Sequence, residues 1–182
     1  MLLSLDVGFS KCGWAVYKHR QPVACGCIIT EKSKKKQTRV SDDYAYRSAM
    51  IAQGLQQIVG HYGSGGIVGE LPSGGAQSAK AMVQMGMATA SVASAASIMG
   101  LPVEWTSPSD VKLAVTGSRK ATKEEIMDAI ATKYDWEKMV KGNRTSYIVL
   151  GDKITKGVFE HIADACGAYL ALIHGNLAKM FG

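Results

Sequence analysis

The order of apolar runs and helical patterns along the sequence predicts an α/β fold. Three short apolar runs follow one another at residues 2–7, 12–17 and 21–30, and successive strands of this kind form an antiparallel meander. Further along, segments with helical spacing alternate with short apolar runs, which is typical of helices that cover a sheet. No linker divides the 182 residues, so we expect a single domain over residues 1–182.

The first predicted strand carries one acidic residue in an otherwise apolar run. Asp6 lies between Leu5 and Val7. A carboxylate buried in a strand costs several kcal/mol unless a partner such as a divalent cation compensates its charge. Gly8 and Ser10 predict a tight turn, so Asp6 is expected on the first arm of a hairpin.

The rest of the chain shows start and stop signals for helices and for two further strands. The patterns predict a helix over about 42–62 with Ser41 as its N-cap, a fourth strand at 67–71, a long helix over about 76–99, a fifth strand at 101–106, a short helix from Ser107-Pro108 that stops before Gly117, a helix that begins with the capping box at 122–125, and a last helix over about 158–179. Periodicity fades between residues 135 and 157, where basic residues recur, and this segment is predicted to be a surface loop.

The fourth predicted strand also carries a single carboxylate, Glu70. Two neighbouring central strands that each hold an acidic residue near their end bring Asp6 and Glu70 within a few ångströms of each other. Carboxylates at such a distance raise each other's pKa unless a cation lies between them.

A histidine and an aspartate share one face of the last predicted helix. His161 and Asp164 are spaced i, i+3 among small and apolar residues. A histidine in such a helix is more often structural than a ligand, but Asp6 and Glu70 favour the ligand role. The four side chains form a hard, oxygen-rich set with one imidazole, which suits Mg²⁺ or Mn²⁺ better than zinc.

Charge and composition restrict the partners of the chain. The net charge of +6 and the isoelectric point of about 9.1 favour a polyanionic partner. The basic run at residues 32–39 either contacts that partner or is a solvated loop. The four cysteines show no CxxC pairing, which favours reduced thiols and a cytoplasmic protein. No window reaches the roughly eighteen apolar residues of a membrane span, so we expect no membrane partner.

Five segments carry a recognisable pattern when they are taken in order. They are LSLDVGFSKCGWAVY at the start, IVGELP around Glu70, the Gly- and Ala-rich helix after it, PVEWTSPSDVKLAVTG, and HIADACGAYLALIHG near the end. Together they resemble the RuvC-type Holliday junction resolvases of the ribonuclease H-like superfamily. The resemblance implies a mixed five-stranded sheet, with the first three strands antiparallel and helices on its faces. It also implies a metal-dependent endonuclease that resolves four-way DNA junctions by paired symmetric nicks.

The resemblance also assigns a catalytic quartet. Asp6, Glu70 and Asp164 match acidic positions of that quartet, and His161 matches a position where members carry either Asp or His. These residues are expected to hold two Mg²⁺ or Mn²⁺ ions.

Basic residues outside the quartet are expected to contact DNA. Lys112 and Lys123 match family lysines near the scissile phosphate, although the match of Lys123 needs an insertion. Further contacts to the DNA backbone are expected from Lys34, Lys35, Lys36, Arg39, Lys80, Arg119 and Lys120. The chain departs from the family after Glu70, where Leu71-Pro-Ser-Gly-Gly75 offers no aromatic residue to enter the junction. This departure fits a phage or mobile-element version of the family.

Other functions share parts of this pattern. The Asp-x-Gly-x-Ser hairpin also resembles the phosphate-binding opening of sugar kinases and actin-like ATPases, but those proteins need two such domains. A different ribonuclease H-like nuclease, acting on branched DNA or an RNA/DNA hybrid, is one alternative, and a non-catalytic DNA-binding module is another. The carboxylates favour an enzyme.

A four-way junction has two symmetry-related strands to cut, so a two-fold homodimer is expected. The helix at 76–99 is the predicted interface, because its small residues allow two helices to approach closely. The residues concerned are Gly86, Ala88, Ala90, Ala93 and Ala96, with Met82 and Met85 to fill gaps. The alternative is that this face packs only on the chain's own sheet.

Overall fold

Eight strands and six helices form within the residues that the computed structural model describes, which are 1–32, 38–72 and 78–182. The strands are β1 Leu2–Asp6, β2 Lys11–Lys18, β3 Gln21–Ile29, β4 Gly66–Glu70, β5 Val103–Thr106, β6 Glu137–Lys141, β7 Arg144–Val149 and β8 Asp152–Thr155. The helices are α1 Val40–Tyr62, α2 Ala79–Ile98, α3 Pro108–Thr116, α4 Lys123–Lys133, α5 Lys156–Ala171 and α6 Asn176–Phe181.

The central sheet has five strands in the order β3-β2-β1-β4-β5. The first three strands pair antiparallel, whereas β4 is parallel to β1 and β5 is parallel to β4. Parallel neighbours require crossover connections, and α1 and α2 provide them. The predicted mixed five-stranded sheet, antiparallel over its first three strands and flanked by helices, is confirmed.

The two faces of the central sheet are covered by different helices. Leu3 and Leu5 point to the face covered by α1 and α2. Leu2 points to the opposite face, which is covered by α4, α5 and the strand β7. Because alternate residues of a strand point to opposite faces, Ser4 and Asp6 lie on the α5 face together with Leu2. This alternation decides which helix meets the acidic end of β1.

Two of the predicted helix starts are confirmed, and one is wrong. Ser107 caps α3 through its side chain, and the capping box at Thr122 opens α4. The predicted N-cap Ser41 lies inside α1, because that helix already begins at Val40 after Arg39, which makes no side-chain capping hydrogen bond.

Residues 135–157 are largely a second sheet, so the predicted surface loop is wrong. The order of this sheet is β6-β7-β8, and both pairings are antiparallel. Tyr147 and Val149 are buried on its inner face, where the Tyr147 ring stacks on Phe159 of α5 with centroids 3.7 Å apart. The other face and the turns carry charged and small residues, and these obscure the apolar alternation in the sequence.

The predicted last helix over 158–179 is two helices separated by a turn. α5 ends at Ala171 and α6 begins at Asn176. The chain turns at Gly175, where a Cβ would lie 2.6 Å from Glu104 Oε2. Glu104 Oε1 accepts a hydrogen bond of 3.3 Å from the backbone N–H of Leu177. Apolar residues continue across the turn because α6 also packs on the sheet, and this continuity conceals the break in the sequence.

Within the described residues, one helix, α2, is long and apolar enough to cross a membrane by length and composition alone, with a mean hydropathy of 1.2. This differs from the expectation that no window would qualify, and it follows from the many Ala and Met residues of the helix. Ala88, Val92 and Ala96 are buried in the core that α2 shares with α1. The helix is therefore attached to the domain along one face and exposed along the other.

Candidate active site

Asp6 and Glu70 lie side by side at one edge of the central sheet. They are the last residues of the parallel neighbours β1 and β4, and they are partners in the strand register. Residues at matching positions of adjacent strands point to the same face. The two carboxylates therefore share the face that α5 covers.

α5 packs closely on this face and brings His161 to Asp6. The Nδ1 atom of His161 lies 2.7 Å from Oδ2 of Asp6. The close approach of α5 depends on Gly13 of β2, which is the register partner of Asp6. A Cβ at Gly13 would lie 2.1 Å from the backbone oxygen of His161. One turn further along α5, the buried Ser4 Oγ donates a hydrogen bond of 2.5 Å to the carbonyl of Ala165.

Glu70 and Asp164 hold their protons more tightly than ordinary carboxyl groups. Burial, followed by the charges of Asp6 and Asp164, raises the pKa of Glu70 to about 8. Burial and the charge of Asp6 likewise raise the pKa of Asp164 to about 7. Shifts of this size in several neighbouring groups are typical of functional sites. The charge of Asp164 acts on Glu70, and the charge of Asp6 acts on Asp164, so the three carboxyl groups are electrostatically coupled.

The chemistry of these donors fits a hard divalent cation. In the described part of the chain, no group of three or more His, Cys, Asp or Glu side chains lies close enough together to hold a metal ion as it stands. The repulsion among the three carboxylates, expressed in the raised pKa values of Glu70 and Asp164, would nevertheless be relieved by a bound cation. Oxygen donors with one imidazole suit Mg²⁺ or Mn²⁺.

Two lysines border the carboxylates. The charges of Lys112 on α3 and Lys123 on α4 partly offset the rise in the pKa of Glu70. Lys123 forms an ion pair with Glu160, and this hydrogen bond raises the pKa of Lys123. Glu160, which directly precedes His161, is therefore the ion-pair partner of this lysine. The sequence reasoning did not identify that role of Glu160.

Two of the residues expected to bind the DNA backbone form ion pairs with neighbouring aspartates. Arg39 pairs with Asp42 at 3.3 Å, and Arg119 pairs with Asp110 at 3.0 Å. Lys80 and Lys120 are exposed. The predicted contacts at Lys34, Lys35 and Lys36 lie outside the described residues.

Lys11 is a cation near the site that the sequence reasoning missed. It begins β2 two residues before Gly13, so both residues belong to the face of the sheet that α5 covers. Lys11 Nζ donates a hydrogen bond of 3.0 Å to the carbonyl of Gly157 in the first turn of α5. The two-residue period of the strand, counted from Gly13, is the signal that identifies it.

A buried arginine fixes the turn between β1 and β2. Arg47 of α1 is 5% exposed and pairs with Asp43 at 3.7 Å. Its Nη2 donates to Ser10 Oγ at 2.6 Å, and its Nε donates to Thr30 Oγ1 at 2.9 Å. The guanidinium carbon lies 4.3 Å from the centroid of the Phe9 ring. Arg47 therefore connects the turn after the first catalytic candidate with the end of β3.

The strand order, the acidic ends of β1 and β4, and the facing His and Asp of α5 define an α/β domain of the ribonuclease H-like class. Residues 2–141 match the model of the family described as Crossover junction endodeoxyribonuclease RuvC. The chain is also 30% identical, over 183 residues, to the crossover junction endodeoxyribonuclease RuvC of Anaeromyxobacter sp. (strain Fw109-5), covering 99% of this chain and 74% of that protein. The chain belongs to the RuvC family.

Solved structures show the same fold. Thermus thermophilus RuvC in complex with a Holliday junction substrate is similar with a TM-score of 0.67 and 18% identity, over 98% of this chain and 94% of that chain. The yeast mitochondrial Holliday junction resolvase is similar with a TM-score of 0.58 and 11% identity, over 99% of this chain and 84% of that chain. At these identities, the likeness concerns the fold. The family match ends before α5, so the positions of His161 and Asp164 rest on the geometry described above.

Proposed function

We propose that this chain is a metal-dependent, structure-selective DNA endonuclease that resolves four-way junctions by paired symmetric nicks. The observation that carries the proposal is the meeting of Asp6, Glu70 and the α5 pair at one sheet edge, in a chain of the RuvC family. The enzyme would act on DNA in the cytoplasm of a bacterium or of a phage-infected cell. The observations favour an enzyme over a DNA-binding module, because burying several carboxyl groups together is costly unless they serve a function.

Asp6, Glu70, Asp164 and His161 are the residues that would hold Mg²⁺ or Mn²⁺, with two ions in each site. Such ions lower the pKa of a bound water and stabilise the charge that develops around the reacting phosphate. The raised pKa values of Glu70 and Asp164 imply that these carboxyls release protons when the cations bind.

His161 has one ring nitrogen committed and one available. Its Nδ1 lies at hydrogen-bond distance from Asp6, and an N–H there that donates to the carboxylate leaves Nε2 as a lone-pair donor. That nitrogen would serve as a ligand or accept a proton. A histidine held in one tautomer by a carboxylate is the arrangement seen when imidazole acts in catalysis.

Lys112 and Lys123 would stabilise negative charge on the scissile phosphate. Both already act electrostatically on Glu70. Lys123 must exchange Glu160 for the phosphate, which costs little because its side chain is 69% exposed. Other contacts to the DNA backbone, from Lys34, Lys35, Lys36, Arg39, Lys80, Arg119 and Lys120, would provide salt-dependent affinity.

We also propose that the enzyme is a homodimer through the exposed face of α2. Gly86, Ala90 and Ala93 lie on that face, and Met82 at its start is 63% exposed. Ala88 and Ala96, which the sequence analysis also assigned to the interface, are buried within the chain. An apolar face of small residues on a 20-residue helix fits a second copy of the same helix.

A nicking assay separates the candidate substrates. Four-way, flap and linear duplex DNA and an RNA/DNA hybrid are incubated with the protein and Mg²⁺. We expect cleavage of the four-way junction at symmetric positions on two opposing strands. Preferred cleavage of the hybrid or the flap would assign the chain to another ribonuclease H-like activity, and binding without cleavage would make it a DNA-binding module.

A further inference from the structure

The three-stranded sheet β6-β7-β8 is fixed close to the active-site edge. β8 ends at Thr155 and continues directly into α5. His161 lies six residues after Thr155, which corresponds to about 9 Å along a helix. The inner face is held by the stack of Tyr147 on Phe159 and by an ion pair of 2.6 Å between Lys138 and Asp128 of α4. The small sheet is thus attached to α4 and α5 beside the candidate active site.

The strand register separates the two faces of the small sheet. Tyr147 and Val149 of β7 are buried. The residues that alternate with them, Arg144, Ser146 and Ile148, therefore point outward. Their partners on β6 and β8 extend the same outer face. The outer face consists of Glu137, Met139, Lys141, Arg144, Ser146, Ile148, Lys153 and Thr155. We call this set the outer β-face.

The outer β-face carries cations that folding alone does not explain. Lys141, Arg144 and Lys153 are exposed, and none of them forms an ion pair with any described residue. Lys141 and Arg144 are direct cross-strand partners, and like charges in that position destabilise a sheet. The inner-face Lys138, by contrast, has an acidic partner. These three cations outnumber Glu137, the acidic residue of the outer β-face, and the excess positive charge would be neutralised by an anionic ligand.

We propose that the outer β-face binds the phosphate backbone of a duplex arm of the DNA substrate, next to the strand that is cut. This inference rests on the proposed nuclease function and adds a second contact surface to it. Lysine, arginine and hydroxyl side chains are typical ligands of DNA phosphates, and all three types are present on this face. β8, one of the three strands that form this face, continues directly into α5, which carries His161. β7 and β8 lie beyond residues 2–141, so the family match does not cover Arg144 and Lys153.

The test compares two sets of substitutions with equal loss of charge. The first variant carries Lys141→Gln, Arg144→Gln and Lys153→Gln. The control variant carries Lys18→Gln, Arg20→Gln and Lys179→Gln, which are exposed residues away from the active-site edge. Binding of a four-way junction is measured in EDTA over a range of salt concentrations. Cleavage is measured with Mg²⁺, and thermal melting checks that both variants are folded.

We expect the first variant to bind the junction at least about tenfold more weakly, with a salt slope smaller by about 2 to 3, and the control to bind like wild type. The cleavage rate at saturating DNA should stay within about twofold of wild type, since no catalytic ligand is changed. In hydroxyl-radical footprinting, the first variant should lose protection of the DNA backbone on one arm. Equal junction binding by the two variants would overturn the proposal. It would do so even if the outer β-face proved to bind a protein instead. If wild type binds junctions but cuts none, the proposed function fails while the binding comparison still decides this inference.

Discussion

Replacement of Glu70 by glutamine is expected to stabilise the metal-free protein while it abolishes cleavage. Burial and the charges of Asp6 and Asp164 raise the pKa of Glu70 from 4.5 to about 8. A carboxyl with a raised pKa in the folded state destabilises the protein once the pH exceeds its unfolded value, because the unfolded chain then binds fewer protons than the folded one. Glutamine occupies the same volume and never carries this charge.

The size of the effect follows from the shift. One pKa unit corresponds to about 1.4 kcal/mol, so the penalty in wild type is about 1 kcal/mol at pH 5 and about 3 kcal/mol at pH 7. The penalty reaches its limit as the pH rises through 8, the pKa of Glu70 in the folded protein. Glu70→Gln should raise the free energy of unfolding by these amounts.

Urea denaturation in EDTA between pH 5 and pH 8 measures the difference. Glu137→Gln is the matched control, because Glu137 is exposed on β6, and it should unfold like wild type at every pH. Added Mg²⁺ should stabilise wild type more than Glu70→Gln. The reasoning fails if Glu70→Gln is no more stable than wild type at pH 7, or if the difference does not grow with pH.

Three further substitutions test the packing that positions the site. Gly13→Ala should lower the free energy of unfolding by about 3 kcal/mol in urea denaturation and slow cleavage, because its Cβ would collide with the backbone of α5; unchanged stability would contradict the close contact. Arg47→Lys should cost about 2 kcal/mol and lower kcat more than it raises KM, since lysine cannot reach both hydroxyl groups; wild-type kcat would limit Arg47 to a structural role. Ala90→Arg should reduce the mass seen by light scattering to that of the 19.4 kDa monomer, whereas Gln56→Arg on the exposed side of α1 should leave a dimer. If the wild-type protein is a monomer both with and without junction DNA, the proposed dimer is refuted.

Much of the geometry of the candidate active site could be predicted because its signals are local. Asp6 and Glu70 each lie in an otherwise apolar run. The two strands that end at these residues are neighbours in the sheet. His161 and Asp164 share a helix face, which spacing alone indicates. The capping signals at Ser107 and Thr122 also act within four residues, and both helices begin there.

The features that the sequence did not predict depend on contacts between distant parts of the chain. Gly13 matters because of His161, and Arg47 acts on Ser10 and Thr30 across two elements. The small sheet was missed because charged and apolar residues are mixed on both of its faces, which leaves a weak strand signal in the sequence. The packing of Tyr147 on Phe159 stabilises the sheet nonetheless. The two sides of α2 are alike in composition, so which of them is buried depends on α1.

The central claim is that Asp6, Glu70, His161 and Asp164 form one metal-dependent hydrolytic site. The most direct measurement is the rate of paired nicking of a four-way junction by wild type and by Asp164→Asn, with and without Mg²⁺, together with the affinity of both proteins for the junction. We predict symmetric nicks by wild type only when Mg²⁺ is present, and a loss of more than about a hundredfold in rate for Asp164→Asn, with junction binding retained. Cleavage by Asp164→Asn at the wild-type rate, or cleavage that does not depend on a divalent cation, would contradict the account.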